Sequence, residues 1–332
     1  MAKAIALYSG GLDSTLAILQ MMKYGVEVEA ITFLTHFGCD ATDSSSCGSD
    51  PYPAAKKFGF GVKLCHLGEK FVEIVKNPRF GHGKNLNPCI DCRLIMLQEA
   101  NQYMSIAGGD FIITGEVTGQ RPMSQRRFAL DLITRECGLD GKLVRPLSGK
   151  LLAPTIPEKE GLIKRDWLLD IEGRSRKRQM ALAEEFGLTE YPNPAGGCLL
   201  TDEEYSKKLR DMLTDHPDID FNDLNLLRAG RYFRLGQKSL LVVGRDEAEN
   251  GKLESLYRDG DVKLEAPDFK SPVGLLRGIA DNYILDMAAS IVARYSDGKN
   301  EKIVKIIFER SSGGGQLETS PALQSLLESV RI

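Results

Sequence analysis

The stretch Ser9-Gly10-Gly11-Leu12-Asp13-Ser14 decides how the rest of the chain is read. Ahead of it runs Ala4-Ile5-Ala6-Leu7-Tyr8, apolar without alternation, which predicts a strand buried on both faces of a parallel sheet. Behind it, Thr15-Leu16-Ala17-Ile18-Leu19-Gln20-Met21-Met22 favours a helix. A strand, a Gly-Gly turn and a helix start form an anion site, because unpaired N–H groups and the positive helix end converge there. Gly10 and Gly11 let the backbone approach a phosphate, while Ser9 and Ser14 add hydroxyl donors. Asp13 implies a cation, since a carboxylate beside phosphate needs an ion such as Mg²⁺ between them. The competing reading is an ordinary turn capped by Asp13 and Ser14.

Further strands alternate with helices. Val26-Glu27-Val28-Glu29-Ala30 and Ile31-Thr32-Phe33-Leu34 read as a second strand, followed by a polar loop over 35–50. A helix at 53–58 and a strand at 62–67 complete a second β-α-β unit. Residues 79–88 read as a loop ahead of a helix after Cys92, and Asp110-Phe111-Ile112-Ile113 is a buried strand delivering Thr114-Gly115-Glu116. This alternation predicts an α/β, doubly wound parallel sheet whose ligands sit at the carboxyl edge, where Ser9 to Ser14 and residues 114–125 both lie. A helical pattern spans 166–186, with Arg174, Arg176, Lys177 and Arg178 clustered in it.

The predicted domains are residues 1–200, a connecting helix and loop at 201–224, and a small α+β domain at 225–332. Residues 225–245 carry five basic residues and no acidic one, around the strand-like Ser239-Leu240-Leu241-Val242-Val243. Strands at 262–264 and 303–308, a helix at 279–294, and a turn at Ser311-Ser312-Gly313-Gly314-Gly315 complete this region.

A net charge of −3 over 332 residues excludes a broadly basic protein, so any nucleic-acid surface must be a local patch. No apolar run approaches the roughly eighteen residues of a membrane span, and no leader stands at the start. Seven cysteines without such a signal point to a reducing cytoplasm, where thiols serve metals or chemistry.

Cys89 and Cys92 form a C-x-x-C at a loop-to-helix boundary, and Cys198 stands far downstream in Pro194-Ala195-Gly196-Gly197-Cys198. Three thiolates can hold a 4Fe–4S cluster with one iron open. A Zn²⁺ site would want a fourth ligand, such as His82 or Cys65. A redox pair, a catalytic cysteine without metal, or two plain core cysteines are the other readings. Cys39, Cys47, Cys65 and Cys137 read as structural or loop thiols.

The hexapeptide lacks the Lys of a Walker A loop and the spacing of the dinucleotide fingerprint. It resembles the PP-loop of ATP pyrophosphatases, which split ATP into AMP and pyrophosphate. Together with Asn87-Pro88-Cys89-Ile90-Asp91-Cys92-Arg93 and Thr114-Gly115-Glu116, it resembles the tRNA thiolation enzymes, namely the tRNA 2-thiouridylases and 4-thiouridine synthetases. Cys92 matches the catalytic cysteine of the 2-thiouridylases, and Cys89 falls where many of them carry an acidic residue. Thr118-Gly119-Gln120 and Ser124-Gln125 resemble the segment that closes over the nucleotide in the 4-thiouridine synthetases. The likeness covers about residues 1–200. Residues 225–310 faintly resemble the RNA-binding domain of NFACT proteins. No stretch is assigned to the N-terminal tRNA-binding domain or rhodanese extension of the 4-thiouridine synthetases, nor to the 2-thiouridylase β-barrels.

The resemblance implies ATP-dependent thiolation of a tRNA uridine. Ser9, Gly10, Gly11, Asp13, Ser14, Thr32, Phe33, Thr114, Gly115 and Gln120 would hold ATP and Mg²⁺. Asp13, Cys89, Cys92 and Cys198 would serve catalysis, the cysteines holding a 4Fe–4S cluster or Zn²⁺. The implied partners are tRNA and a sulfur donor (sulfide or a persulfide-carrying protein), with no membrane and a homodimer as one candidate assembly. Arg174, Arg176, Lys177, Arg178, Arg228, Arg231, Arg234, Lys238 and Arg245 are candidate phosphate contacts, with Tyr232 and Phe233 as stacking partners for bases. The rival readings are a synthetase acting on a small molecule and a non-catalytic RNA-binding protein.

Overall fold

A computed structural model describes residues 1–37, 50–191, 198–216 and 218–332. Cys39, Cys47 and Pro194-Ala195-Gly196-Gly197 lie outside them, as does most of the expected loop at 35–50. The chain divides into two compact units, Met1–Asp202 and Glu203–Ile332.

The first unit is built on a five-stranded sheet of β1 (Lys3–Leu7), β2 (Glu27–Leu34), β3 (Gly61–His66), β4 (Phe111–Thr114) and β5 (Leu143–Val144). The strand order is β3-β2-β1-β4-β5, and every pairing is parallel. Both faces of β1 are covered, which is why its sequence is apolar throughout. Ala4 and Ala6, with Phe111 and Ile113 beside them, pack on Ile18 and Met21 of α1 (Leu12–Met22). Ile5 faces the other way, where the absent side chain of Gly109 leaves room for it and for Met104. Met104 comes from the long helix α4 (Cys89–Ala107), which follows α2 (Tyr52–Phe58) and α3 (Gly68–Lys76). From β1 the chain winds outward to β2 and β3, then returns to β4 on the opposite flank. A crevice therefore opens beyond the carboxyl ends of β1 and β4, the switch point where such sheets bind ligands.

The expected helix over 166–186 is shorter. A 3₁₀ turn at Arg165–Trp167 precedes extended chain in which Glu172 bridges to Thr118, and only Lys177–Glu185 is helical. Pairing with Thr118 and the left-handed Gly173 (φ 83°) forbid a helix there.

The second unit is a six-stranded antiparallel sheet of β6 (Arg231–Gly236), β7 (Ser239–Val243), β8 (Val262–Glu265), β9 (Gly274–Gly278), β10 (Val304–Arg310) and β11 (Gly313–Thr319). Its order is β11-β10-β8-β9-β7-β6. The helix Asn282–Tyr295, capped by the Asp281 carboxylate accepting from the Ile284 N–H, lays Leu285, Ala288 and Ile291 on Phe233, Leu241 and Leu276. The expected connecting segment 201–224 holds the helix Glu203–Asp215 and the start of Phe221–Leu226, both helices lying within this unit. The glycine-rich turn expected at 311–315 is a strand from Gly313 onward. Gly315 pairs with Phe308, whose ring occupies the space a Cβ on Gly315 would fill. Cross-strand packing thus overrides the poor strand propensity of glycine.

Candidate active site

The first unit encloses a cavity of about 330 Å³ at the carboxyl edge of its sheet. Ser9, Gly11, Asp13 and Ser14 come from the turn after β1, Thr32 and Phe33 from β2, and Gly115 and Glu116 from the end of β4. Cys89, Cys92 and Arg93 come from the start of α4, with Arg121, Ser124, Gln125, Arg176 and Cys198 completing the wall. The volume falls in the range of small-molecule sites.

Internal bonds fix the turn. Gly10 takes a left-handed φ of 72°, and Gly11 stands as the N-cap of α1 in extended conformation. The Ser14 hydroxyl donates to the Gly11 carbonyl at 2.9 Å and lies 3.2 Å from the Ser9 hydroxyl. Thr15 Oγ1 donates to the same carbonyl at 3.0 Å. Ser14 is therefore first a clamp on the loop.

Asp13 Oδ2 accepts from Gln120 Nε2 at 3.0 Å, while Asp13 Oδ1 is buried without a partner. Burial pushes the Asp13 carboxyl up, against the Gln120 hydrogen bond and the charges of Arg176 and Arg121. Thr32 Oγ1, Gln125 Oε1 and Arg176 Nε are also buried without hydrogen-bond partners. A buried polar atom left unpaired costs about 1–3 kcal/mol, so this set fits a polar ligand that would satisfy it. The open oxygen of Asp13 fits a Mg²⁺ ligand. Gln120 and Thr114 reach the site indirectly, Gln120 through Asp13 and Thr114 through Glu116.

Sequence reading missed the charges behind the cavity. Glu116, 1% exposed, meets Arg145 Nε at 2.8 Å, Arg93 Nε at 3.1 Å and the Thr114 hydroxyl at 3.1 Å. Burial opposes its ionisation, yet Arg145 and Arg93 override burial and hold the carboxyl below its ordinary range. Arg93 thus ties the C-x-x-C helix to β4. The only sequence signal was an Arg directly after Cys92.

The three cysteines reach the cavity along different routes. Asp91, between Cys89 and Cys92, accepts from the N–H groups of Arg79 and Phe80 at 3.0 and 3.1 Å and so pins the 79–88 loop to α4. Cys89 donates to Asn87 Oδ1 at 3.0 Å, and burial pushes its thiol up against the charges of Arg121 and Arg93. Cys198 is held by the Leu199 N–H donating to Phe37 O at 3.0 Å, and the Leu86 N–H docks the same segment through Leu200 O at 3.1 Å. Among the described residues, no group of three or more His, Cys, Asp or Glu could hold a single metal ion. His82 instead sets Nε2 2.8 Å from Val75 O, and neither it nor Cys65 lines the cavity. A cluster asks less of the thiolates than one metal ion does, because each binds a different iron. Cys89, Cys92 and Cys198 all line the cavity, thiols being the ligand type such a cluster takes.

The basic candidates separate. Arg176 lines the cavity, and Arg174 and Lys177 are exposed. Arg178 pairs with Asp170 at 2.6 Å. In the second unit, Arg234 binds Asp215 at 3.0 Å and Asp211 at 2.5 Å, Arg231 donates to Gly244 O and stacks over Tyr295, and Arg245 meets Glu249. Arg228 is half-buried, while Lys238 is exposed at a left-handed φ of 61°. Tyr232 and Phe233 are 1% and 0% exposed, so neither is a stacking platform. The acid-free run acquires its acids from outside it, Asp211 and Asp215 from the helix Glu203–Asp215 and Glu249 from the helix Glu247–Ser255.

The likeness carried by the motifs extends to whole segments. Residues 1–150 match the family model described as Thiamine biosynthesis protein (ThiI). Residues 230–329 match that of the NFACT protein RNA binding domain. A probable tRNA sulfurtransferase of Thermococcus kodakarensis is 28% identical over 127 residues, 36% of this chain and 30% of that protein. One of Methanosarcina mazei is 30% identical over 134 residues, 36% of this chain and 29% of that protein. The chain thus spans under a third of the length of these curated relatives. A 4-thiouridine synthetase solved with RNA and bound ATP is 21% identical, covering 56% of this chain and 52% of that one at a TM-score of 0.36. The chain therefore resembles PP-loop proteins of the tRNA thiolation type, with a second unit similar to the NFACT RNA-binding domain.

Proposed function

We propose that the protein is an ATP-dependent tRNA sulfurtransferase that thiolates a uridine through an adenylated intermediate. The observation that carries this reading is the meeting of the Ser9 to Ser14 turn and three cysteines on one cavity. ATP would lie with its phosphates over the turn and its base toward Thr32 and Phe33. Asp13, oriented by Gln120, would hold Mg²⁺, which would supply charge neutralisation at the phosphates, and Arg176 would face the same charge. The uridine carbonyl oxygen attacks the α-phosphorus, and the bond to the β-phosphate breaks to release pyrophosphate. Sulfur then attacks the activated carbon, and the C–O bond breaks to release AMP. The chain's work in both steps is positioning and charge neutralisation. A 4Fe–4S cluster held by Cys89, Cys92 and Cys198 would supply the sulfide-carrying site, and the reducing cytoplasm would keep the thiols available.

The test is incubation of anaerobically purified protein with unmodified tRNA, ATP and sulfide, followed by mass spectrometry of the nucleosides. A thiouridine that forms only with ATP supports the reading, and ATP turnover with no modified nucleoside overturns it. Full thiolation by a cluster-free preparation would remove the iron from the proposal while leaving adenylation standing.

The thiamine-biosynthesis description of the matching family favours one second reading, sulfur transfer to a small molecule. Rapid pyrophosphate release without any RNA would single it out.

A further inference from the structure

The segment 121–128 begins in the cavity wall and ends in solvent. Gln125 donates its N–H to Arg121 O at 3.2 Å and accepts from the Gly119 N–H at 2.6 Å, which closes a tight turn. Ser124 and Gln125 are buried in the wall, while Arg121, Met123, Arg126 and Phe128 are exposed. Arg121 lines the cavity and its charge reaches both Asp13 and Cys89. Among the described residues, neither Arg121 nor Arg126 has a carboxylate at ion-pair distance. Arg127, by contrast, is engaged by Leu151 O and Asp131. The helix Arg127–Glu136 buries Ala129, Leu130 and Ile133, yet leaves Phe128 76% exposed in its first turn. Met123 borders the 79–88 loop, filling the space a Cβ on Gly83 would take. Arg174 and Lys177 are exposed next to Arg176, another lining residue.

We propose that residues 121–128 are an RNA-binding lip, on which Arg121 and Arg126 hold phosphates and Phe128 stacks an unpaired base as the target uridine enters the cavity. The proposal rests on tRNA being the substrate. Unpaired guanidinium groups beside an exposed ring are the chemistry of single-stranded RNA sites, where rings take bases and cations follow the backbone. Such a lip brings basic charge to the cavity although the whole chain carries a net charge of −3.

The test measures binding of labelled, transcribed tRNA to the full chain across a salt series, alongside binding of a non-hydrolysable ATP analogue. Phe128→Ala weakens tRNA binding about tenfold, and Phe128→Tyr retains wild-type affinity. Arg126→Ala weakens binding at low salt and reduces the salt slope by about one. All three variants bind the ATP analogue as wild type does, because none of these side chains lines the cavity. Wild-type tRNA affinity and salt slope in Phe128→Ala and Arg126→Ala overturn the lip alone. A wild-type chain that does not bind tRNA overturns the lip and the tRNA reading together.

Discussion

Gly115 lies flat against Ser14: a Cβ on residue 115 would sit 2.5 Å from the Ser14 backbone nitrogen. The end of β4 and the start of α1 therefore touch backbone to backbone, and that contact sets the floor of the cavity. No side chain fits between them. Gly115→Ala must push the Ser9 to Ser14 turn away from β4 or strain both, at about 1–3 kcal/mol. Calorimetry will show a lower unfolding temperature and an ATP affinity reduced by more than the stability loss alone explains.

Glu116 gives a second prediction. It sits between the Arg93 and Arg145 guanidinium groups, and Glu116→Gln would leave the buried Arg145 and the half-buried Arg93 sharing a neutral amide. The expected loss is about 3–5 kcal/mol, as when one partner of a buried pair is removed. Its pH signature has a definite sign. The folded pKa lies below the ordinary value, so the contribution is complete above about pH 4.3 and disappears as pH falls through the folded pKa. Urea unfolding between neutral and acid pH should show a shallower acid limb in the variant.

The cysteines divide by position. Cys89→Ala, Cys92→Ala and Cys198→Ala should each strip iron and acid-labile sulfide from anaerobically purified protein. Cys137→Ala should leave both in place, because Cys137 is buried in the core and donates to Thr134 O at 3.3 Å, away from the cavity. Iron and sulfide analysis of the four variants checks the assignment, and retention of both in Cys198→Ala would contradict it.

Arg234 and Arg174 make a matched pair. Arg234 is mostly buried against Asp211 and Asp215, so Arg234→Ala should cost about 1–3 kcal/mol of stability. Arg174→Ala, at an exposed position, should leave stability unchanged and weaken tRNA binding with a shallower salt dependence. Denaturation and binding measured on both variants separate the two roles.

These cases also show what the sequence made legible. The turn after β1, the C-x-x-C at the start of α4 and the edge at Thr114 announce themselves, because glycine spacing and helix starts are local properties. The pairing of Arg234 with Asp211 is not local: a count of charges over 225–245 cannot see acids supplied by another helix. Tyr232 and Phe233 misled for a related reason. Aromatic residues beside arginines resemble a base-stacking site, until the packing of a whole sheet buries them. Glu116 was visible as part of a motif, but its two guanidinium partners lie 23 and 29 positions away along the chain.

Cys198 lines the cavity in a segment held by hydrogen bonds from Leu86 N–H to Leu200 O and from Leu199 N–H to Phe37 O. On the ribosome, β1 to β5 emerge and can pair well before that segment is made, because synthesis delivers the N-terminal parts first. The parallel sheet thus precedes its own last thiol. A nascent chain stalled before residue 198 would carry the Ser9 to Ser14 turn, Cys89 and Cys92 without Cys198.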